Sequence, residues 1–169
     1  MPVDAVVIPD QDGDGHAELA VLGIRVGNLR PLVEIQNVAG APAPRRVPYS
    51  FGFRAMQLKN IGDADGNGVT ELAVLGNRDS DSRAIVQVRN AFGAPAQRDI
   101  IFSESETPHD MEVIIDPLGV APPRLAVLMT RWINLAGMVE LRNAFGPPAR
   151  SNLYGRQGVR PRFLSLIGD

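Results

Sequence analysis

Three apolar segments of nearly identical sequence recur along the chain at a constant spacing. ELAVLG at residues 18–23 returns at 71–76 and, as RLAVLM, at 124–129, each 53 residues after the last. A second landmark, NVAGAP from Asn37, returns twice with the same spacing as NAFGAP and NAFGPP. Continuous apolar runs of this length predict strands that are covered on both faces. A regular repeat of this size predicts stacked units that bury their apolar faces only against one another.

Each repeat is predicted to hold four short strands, A to D. Strand A precedes the apolar strand B and occurs four times, at residues 4–9, 57–62, 110–115 and 163–168. Strand C alternates, with Val33 and Ile35 facing one side and Glu34 the other, which indicates one packed face and one wetter face. Asn and Gly after strand C favour a tight turn because both adopt positive φ angles. Strand D follows at residues 46–51, 98–103 and 151–156.

The pattern predicts an all-β fold of β-propeller blades, with three tandem four-stranded antiparallel repeats plus one extra strand. We expect a single repeat domain over residues 1–169, with blades at 4–56, 57–109 and 110–162 and the extra strand at 163–169. A β-solenoid competes with this interpretation, but solenoid repeats are usually shorter and rarely carry four strands. The composition, with 44% hydrophobic residues, 17 Gly and 14 Pro, suits a packed core with many tight turns.

An acidic loop joins strands A and B in the first two repeats, and its residues are candidate metal ligands. They occupy loop positions 1, 3, 5, 7 and 9: Asp10, Asp12, Asp14, His16 and Glu18 in the first repeat, and Asp63, Asp65, Asn67, Val69 and Glu71 in the second. Alternate side-chain oxygens converge on one hard cation when such a loop curls, and position 7 offers its backbone carbonyl. Numerous, flexible oxygen ligands favour Ca²⁺ over Mg²⁺. The loop is not an EF-hand, because position 12 is a valine inside an apolar strand.

The third repeat is an internal control for this hypothesis. Asp116 remains at position 1, but PLGVAPP follows it and Arg124 replaces the closing glutamate. The arginine brings a positive charge to the place a cation would take, so we expect no metal in this loop. Asp, Asn and Gly also form ordinary turns, and it is the match at two equivalent positions that favours metal binding.

The order of strand, DxDxDGxxE loop and apolar strand resembles the FG-GAP/VCBS repeats of calcium-binding β-propellers, a family that includes the integrin α-subunit head and some fungal lectins. The resemblance covers all three repeats. It implies Ca²⁺ ligands at the ten positions named above, with His16 and Val69 contributing backbone carbonyls. In that family the last acid is usually Asp, so Glu18 and Glu71 depart from the pattern. The resemblance also implies a secreted or cell-surface location.

The number of repeats predicts an assembly. Closed propellers hold about four to eight blades, and three are too few. Either the chain is part of a longer array or several chains complete one ring, a pair giving about six blades. Open blade faces would leave apolar strands uncovered, so we expect self-association, with the extra strand as a candidate for exchange between chains. We expect no membrane insertion, since no apolar run of about 18 residues occurs, and no nucleic-acid partner.

The sequence offers little support for catalysis. It contains no GxSxG, Walker A or HExxH motif, and neither His16 nor His109 has a visible nucleophile or acid partner. A calcium-stabilised binding or adhesion scaffold is therefore the first hypothesis, with a protein or glycan ligand. A lectin is the second, in which Trp132 would stack on a sugar, and an accessory domain of a secreted enzyme is the third. Trp132 also fits an interface anchor, and filling the space left by the missing ion of the third loop is favoured over both roles. The basic stretch at Arg150, Arg156, Arg160 and Arg162 fits a solvated face or a polyanion site.

Overall fold

A computed structural model describes residues 1–38, 45–92, 97–102, 106–116, 121–131, 134–145 and 150–154. Within these ranges the chain forms twelve β-strands and no helix. The strands make three separate open sheets of four strands each, rather than one closed barrel.

Each sheet is an antiparallel meander of four strands that are consecutive in the chain. Sheet I holds β1 (Pro2–Ile8), β2 (Glu18–Ile24), β3 (Pro31–Asn37) and β4 (Arg45–Pro48). Sheet II holds β5 (Phe53–Asn60), β6 (Glu71–Arg78), β7 (Ala84–Asn90) and β8 (Gln97–Ile101). Sheet III holds β9 (Glu106–Ile114), β10 (Arg124–Arg131), β11 (Gly137–Asn143) and β12 (Arg150–Tyr154). The prediction of an all-β chain with three four-stranded antiparallel repeats is thus confirmed, while the extra strand at 163–169 lies outside the described residues.

The first strand of each sheet is longer than predicted because it continues past a β-bulge. The pairing with the second strand shifts between Pro2 and Asp4, and again between Ala55 and Gln57. In sheet III, Leu128 pairs with Asp110 and Met129 with Pro108, which leaves His109 as the extra residue. A bulge residue adds twist and re-aims the side chains that follow it. The three bulges fall at equivalent positions of the repeat, and β5 and β9 begin four residues earlier than expected, whereas β1 begins two residues earlier.

Sheet II is packed between the other two. Leu72 and Val74 of β6 belong to an apolar layer shared with sheet I, whereas Ala73 and Leu75 belong to a second layer shared with sheet III. Successive residues of a strand face opposite sides, so one apolar strand supplies both layers. This explains why strand B carries no polar face in the sequence.

The first strands of neighbouring sheets are also joined by hydrogen bonds between repeats. The backbone N–H of Leu58 donates to the Asp4 carboxylate at 2.8 Å, and the N–H of Met111 donates to the Gln57 side-chain oxygen at 2.7 Å. Lys59 forms an ion pair with Glu112 at 2.9 Å. Apolar layers and these polar contacts together set the order of the sheets as I, II, III.

The turn between the second and third strands has one backbone geometry in all three sheets. Leu29, Ser82 and Leu135 occupy the equivalent position and have φ angles of 53°, 55° and 54°. In each turn this residue donates its N–H to the carbonyl four residues earlier, that of Arg25, Arg78 or Arg131. A left-handed conformation is costly for a residue with a Cβ, and leucine is an unusual choice there.

Candidate metal centres

The first acidic loop begins where β1 ends and is closed by the pairing of Ile8 with Glu18. The Asp10 carboxylate accepts the N–H of Gly13 at 2.7 Å and that of Gly15 at 2.8 Å. Both glycines have positive φ angles, which lets the backbone curl around the carboxylate. The N–H groups of Gly15 and Gly13 hold the pKa of Asp10 below its usual value, so this carboxylate stays charged.

The second loop, between β5 and β6, repeats this arrangement. The Asp63 carboxylate accepts the N–H of Asn67 at 2.9 Å and that of Gly68 at 2.8 Å. Gly68 has a φ of 84°, close to the 88° of Gly15 at the equivalent position. The two loops differ in sequence, but in both of them the backbone curls around the aspartate at position 1, which accepts backbone N–H groups.

The closing glutamates are the most informative residues of both loops. Glu18 is 1% exposed and Glu71 is 0% exposed. One oxygen of each accepts a loop N–H, from Gln11 at 3.1 Å and from Ala64 at 2.6 Å. The other oxygen of each, Oε2 of Glu18 and Oε1 of Glu71, is buried without a hydrogen-bond partner in the described residues. A buried charged oxygen without compensation is costly, so this pair of equivalent unpartnered atoms points to a cation ligand.

Each glutamate lies against two aspartates of its own loop. One carboxylate oxygen from each of Asp10, Asp12 and Glu18 lies within 4.8 Å of the other two, and the same holds for Asp63, Asp65 and Glu71. In the second cluster, burial of the side chain and then the charges of Asp65 and Asp63 raise the pKa of Glu71 to about 7. Convergent carboxylates of this kind are hard oxygen donors. Both clusters could hold a metal ion.

Asp14, at loop position 5, is not among the three carboxylates that converge in the first loop. One Asp14 oxygen accepts the N–H of His16 at 2.9 Å, and the other contacts the Asn37 side-chain amide. The Asn67 side-chain oxygen likewise accepts the N–H of Val69, at 2.8 Å. These bonds tie position 5 to position 7, so Asp14 and Asn67 shape the half of each loop that holds the predicted carbonyl ligands.

Two further residues support the loops and were not identified from the sequence. Gln11 accepts the backbone N–H of Thr70 at 2.8 Å, which links the first loop to the end of the second. Asn37, the last residue of β3, reaches Asp14 from the neighbouring strand. The Asn at the end of each C strand indicates only a turn in the sequence, and Gln11 has no polar counterpart at Ala64.

The third loop keeps one hydrogen bond that the first two loops also make. The Asp116 carboxylate accepts the N–H of Ala121 at 2.9 Å, five residues later, as Asp10 does from Gly15 and Asp63 from Gly68. Arg124 begins β10 at the position of the closing glutamate. The expectation that this loop binds no cation stays a prediction. A cleft of about 470 Å³ separates this loop from the second one and is bordered by Asp65 and Asp116.

Other sequence candidates fall partly outside the described residues. Trp132 and Arg156 to Arg162 lie there, whereas Arg150 is paired with Glu140 at 3.3 Å. The His109 ring contacts the Thr130 hydroxyl at 2.7 Å. No helix among the described residues is long and apolar enough to cross a membrane.

Comparisons with protein-family models, with curated proteins and with solved structures find no match to this chain. The geometry of the two acidic loops is therefore the main basis for a functional assignment.

Proposed function

We propose that the chain is a calcium-stabilised β-propeller scaffold of the FG-GAP/VCBS type, which binds other molecules and performs no catalysis. The observation that carries this proposal is the buried, unpartnered oxygen of Glu18 and its equivalent in Glu71, each beside two aspartates. A turn needs neither a buried carboxylate nor an unsatisfied oxygen, so a purely structural role does not account for them.

Charge and donor type favour calcium. Each cluster carries three carboxylates, and Asp14 adds a fourth to the first loop. Oxygen donors on a curled backbone loop, with a backbone carbonyl predicted as a further ligand at position 7, match the preference of Ca²⁺ for six to eight oxygen ligands. Bound there, the ion would neutralise carboxylates that otherwise repel one another. The same ion would stabilise the folded state, because the unfolded loop does not assemble the site.

The propeller assignment is supported by the packing of the sheets. Three four-stranded meanders follow one another in chain order and pack face to face, and their first strands are joined to one another. That is the relation expected between consecutive blades. A secreted or cell-surface location fits the proposal, because extracellular calcium modules commonly bind the ion with Kd values of about 10⁻⁴–10⁻³ M.

Thermal unfolding of the full chain tests the proposal. We expect Ca²⁺ added to EDTA-treated protein to raise Tm, with each kcal/mol of stabilisation worth about 2–4 °C. Mg²⁺ at the same concentration should have a smaller effect. The double variant Asp12→Ala/Asp65→Ala should lose the response to Ca²⁺.

Asp116→Ala is the matched control, because this aspartate holds the same loop position in the repeat that lacks the closing glutamate. It should keep the full response to Ca²⁺. Calorimetric titration should give two sites per chain, and one in either Glu18→Gln or Glu71→Gln. A melting curve that is the same in EDTA and in excess Ca²⁺ would overturn the proposal.

A further inference from the structure

Gln11 contacts both of the complete acidic loops. It lies in the first loop, where its backbone N–H donates to the Glu18 carboxylate at 3.1 Å. Its side-chain oxygen accepts the backbone N–H of Thr70 at 2.8 Å. Thr70 directly precedes Glu71, which closes the second loop. Gln11 thus connects the closing glutamate of the first loop to the residue next to the closing glutamate of the second.

The backbone of Thr70 depends on this contact. Thr70 is 4% exposed, so water does not readily replace Gln11 as the acceptor of its N–H. A buried N–H that loses its acceptor is costly. Because Glu71 follows immediately in the chain, the bond that holds the Thr70 backbone also positions the start of the Glu71 residue.

The next pair of loops lacks both halves of the contact. Ala64 takes the place of Gln11 in the second loop; it keeps the backbone bond to the closing glutamate, at 2.6 Å, but has no side-chain acceptor. Pro123 takes the place of Thr70 in the third repeat, and proline has no N–H to donate. Acceptor and donor therefore occur together between the two loops that have a closing glutamate, and neither occurs beside the loop that has none.

We propose that Gln11 couples the two metal sites, so that a calcium ion in either loop makes the other loop bind calcium more tightly. This inference rests on the calcium binding proposed above. It assigns Gln11 as a positioning residue and not as a metal ligand. By linkage, the effect of the first site on the second equals the effect of the second on the first.

The coupling comes from how firmly the first loop holds Gln11. Without an ion, the carboxylates of Asp10, Asp12 and Glu18 repel one another and favour opening of the loop. An ion holds these three side chains together, and with them the bond from Gln11 to Thr70. The second loop then loses less conformational freedom when its own ion enters. The net contribution of one hydrogen bond corresponds to a change in affinity of about two- to tenfold.

Calorimetric titration of the full chain with Ca²⁺ measures the coupling. Glu18→Gln leaves only the second site, and Glu71→Gln leaves only the first. The constant for filling both sites of the original chain, divided by the product of the two single-site constants, should be about two to ten. The two cations also repel each other, so the titrations are made at about 0.15 M salt, which screens charges over about 8 Å.

The same three titrations with Gln11→Ala in every chain should give a quotient of about one. This variant copies the residue that the second loop already has at this position, and Ala64 there still donates its N–H to the closing glutamate. Both loops should therefore still bind Ca²⁺ in Gln11→Ala.

Amide hydrogen exchange at Thr70 reports on the link directly. In Glu71→Gln only the first loop binds the ion, and Ca²⁺ should slow exchange of the Thr70 N–H by about two- to tenfold. In Gln11→Ala/Glu71→Gln the exchange rate of this N–H should not respond to Ca²⁺. A residue that only stabilises the fold would not produce this difference.

Two further variants are the controls. Gln11→Glu keeps an acceptor oxygen at the same place and should keep the coupling, although its added charge raises the affinity of each site. Gln36→Ala removes the same side chain from an exposed position of β3, where its hydrogen bond goes to Glu34 at 2.8 Å. It should keep the coupling of the original chain.

The outcomes separate this proposal from the calcium assignment. Two sites that fill independently in the original chain would overturn the coupling and leave the proposed function standing. A quotient that is the same with Gln11 and with Gln11→Ala, or one lost in Gln36→Ala, would do so as well. A chain that binds no Ca²⁺ would overturn both.

Discussion

The backbone N–H of Leu58 is bonded to the carboxylate of Asp4, a residue of the preceding repeat, at 2.8 Å. Leu58 is 2% exposed, so water cannot replace this acceptor. We expect Asp4→Ala to lower the free energy of unfolding by about 1–3 kcal/mol, the cost of an unsatisfied buried donor. Urea denaturation measures the loss.

Asp4→Asn is the matched control, because its side-chain oxygen still accepts the bond. It should retain most of the stability of the original chain. Equal losses in both variants would show that the charge of Asp4, and not its acceptor, stabilises the contact between repeats.

The raised pKa of Glu71 predicts a pH dependence in metal-free protein. Burial raises this pKa to about 7 from its usual 4.5, and the charges of Asp65 and Asp63 act in the same direction. Between these values the folded state binds more protons than the unfolded state. The stability that protonated Glu71 contributes in EDTA should therefore be fully present below about pH 4.5. This contribution should be lost as the pH rises through about 7.

Glu71→Gln should flatten this part of the profile, and melting temperatures in EDTA at a series of pH values measure it. With Ca²⁺ present we expect the opposite trend, because the ion competes with protons for the carboxylates. A profile in EDTA that is the same for both proteins would contradict the assignment of this titration to Glu71.

The left-handed conformation of Leu29 predicts a stabilising substitution. Its φ is 53° and its side chain is 77% exposed, so the residue contributes strain and little burial. Asparagine tolerates this conformation better, and Leu29→Asn should raise the free energy of unfolding by about 0.5–1 kcal/mol. Val26→Asn, in the same turn and 89% exposed but without a positive φ, is the control and should be neutral. A destabilised Leu29→Asn variant would indicate a packing role for the leucine.

Gly76 and Gly23 occupy equivalent positions of the repeat, but alanine at each should lower the free energy of unfolding by a different amount. A Cβ on Gly76 would overlap the Arg54 carbonyl oxygen and lie 2.7 Å from the Phe53 ring. A Cβ on Gly23 would make one tight contact, 3.2 Å from the Met1 carbonyl oxygen. We expect Gly76→Ala to cost about 1–3 kcal/mol in urea denaturation and Gly23→Ala clearly less. Equal costs would show that β5 can shift away from β6.

The strand order of each repeat was predictable because strand B is apolar on both faces and strand C alternates. These patterns reflect burial directly, and the repeat shows them three times. The early start of β5 and β9 was not predictable, because a bulge at Met56 or His109 depends on pairing with another strand and leaves no local mark in the sequence.

Some features of the acidic loops could also be predicted from the sequence, and others could not. Asp10 and Glu18 could be recognised from their spacing, which brings positions 1 and 9 together when the loop curls. The bond from Thr70 to Gln11 spans 59 residues and could not be inferred, because it depends on how sheet I sits on sheet II. That Asp14 contacts Asn37, rather than the other carboxylates, likewise depends on where β3 ends.

The bond from the Asp116 carboxylate to the Ala121 N–H has a consequence for the two complete loops. The third loop lacks the closing glutamate and still makes this contact, so the bond across the loop does not require a second carboxylate. The Asp10 and Asp63 carboxylates are likewise positioned by backbone N–H groups. Little ordering entropy at these two side chains would then be lost when a cation enters.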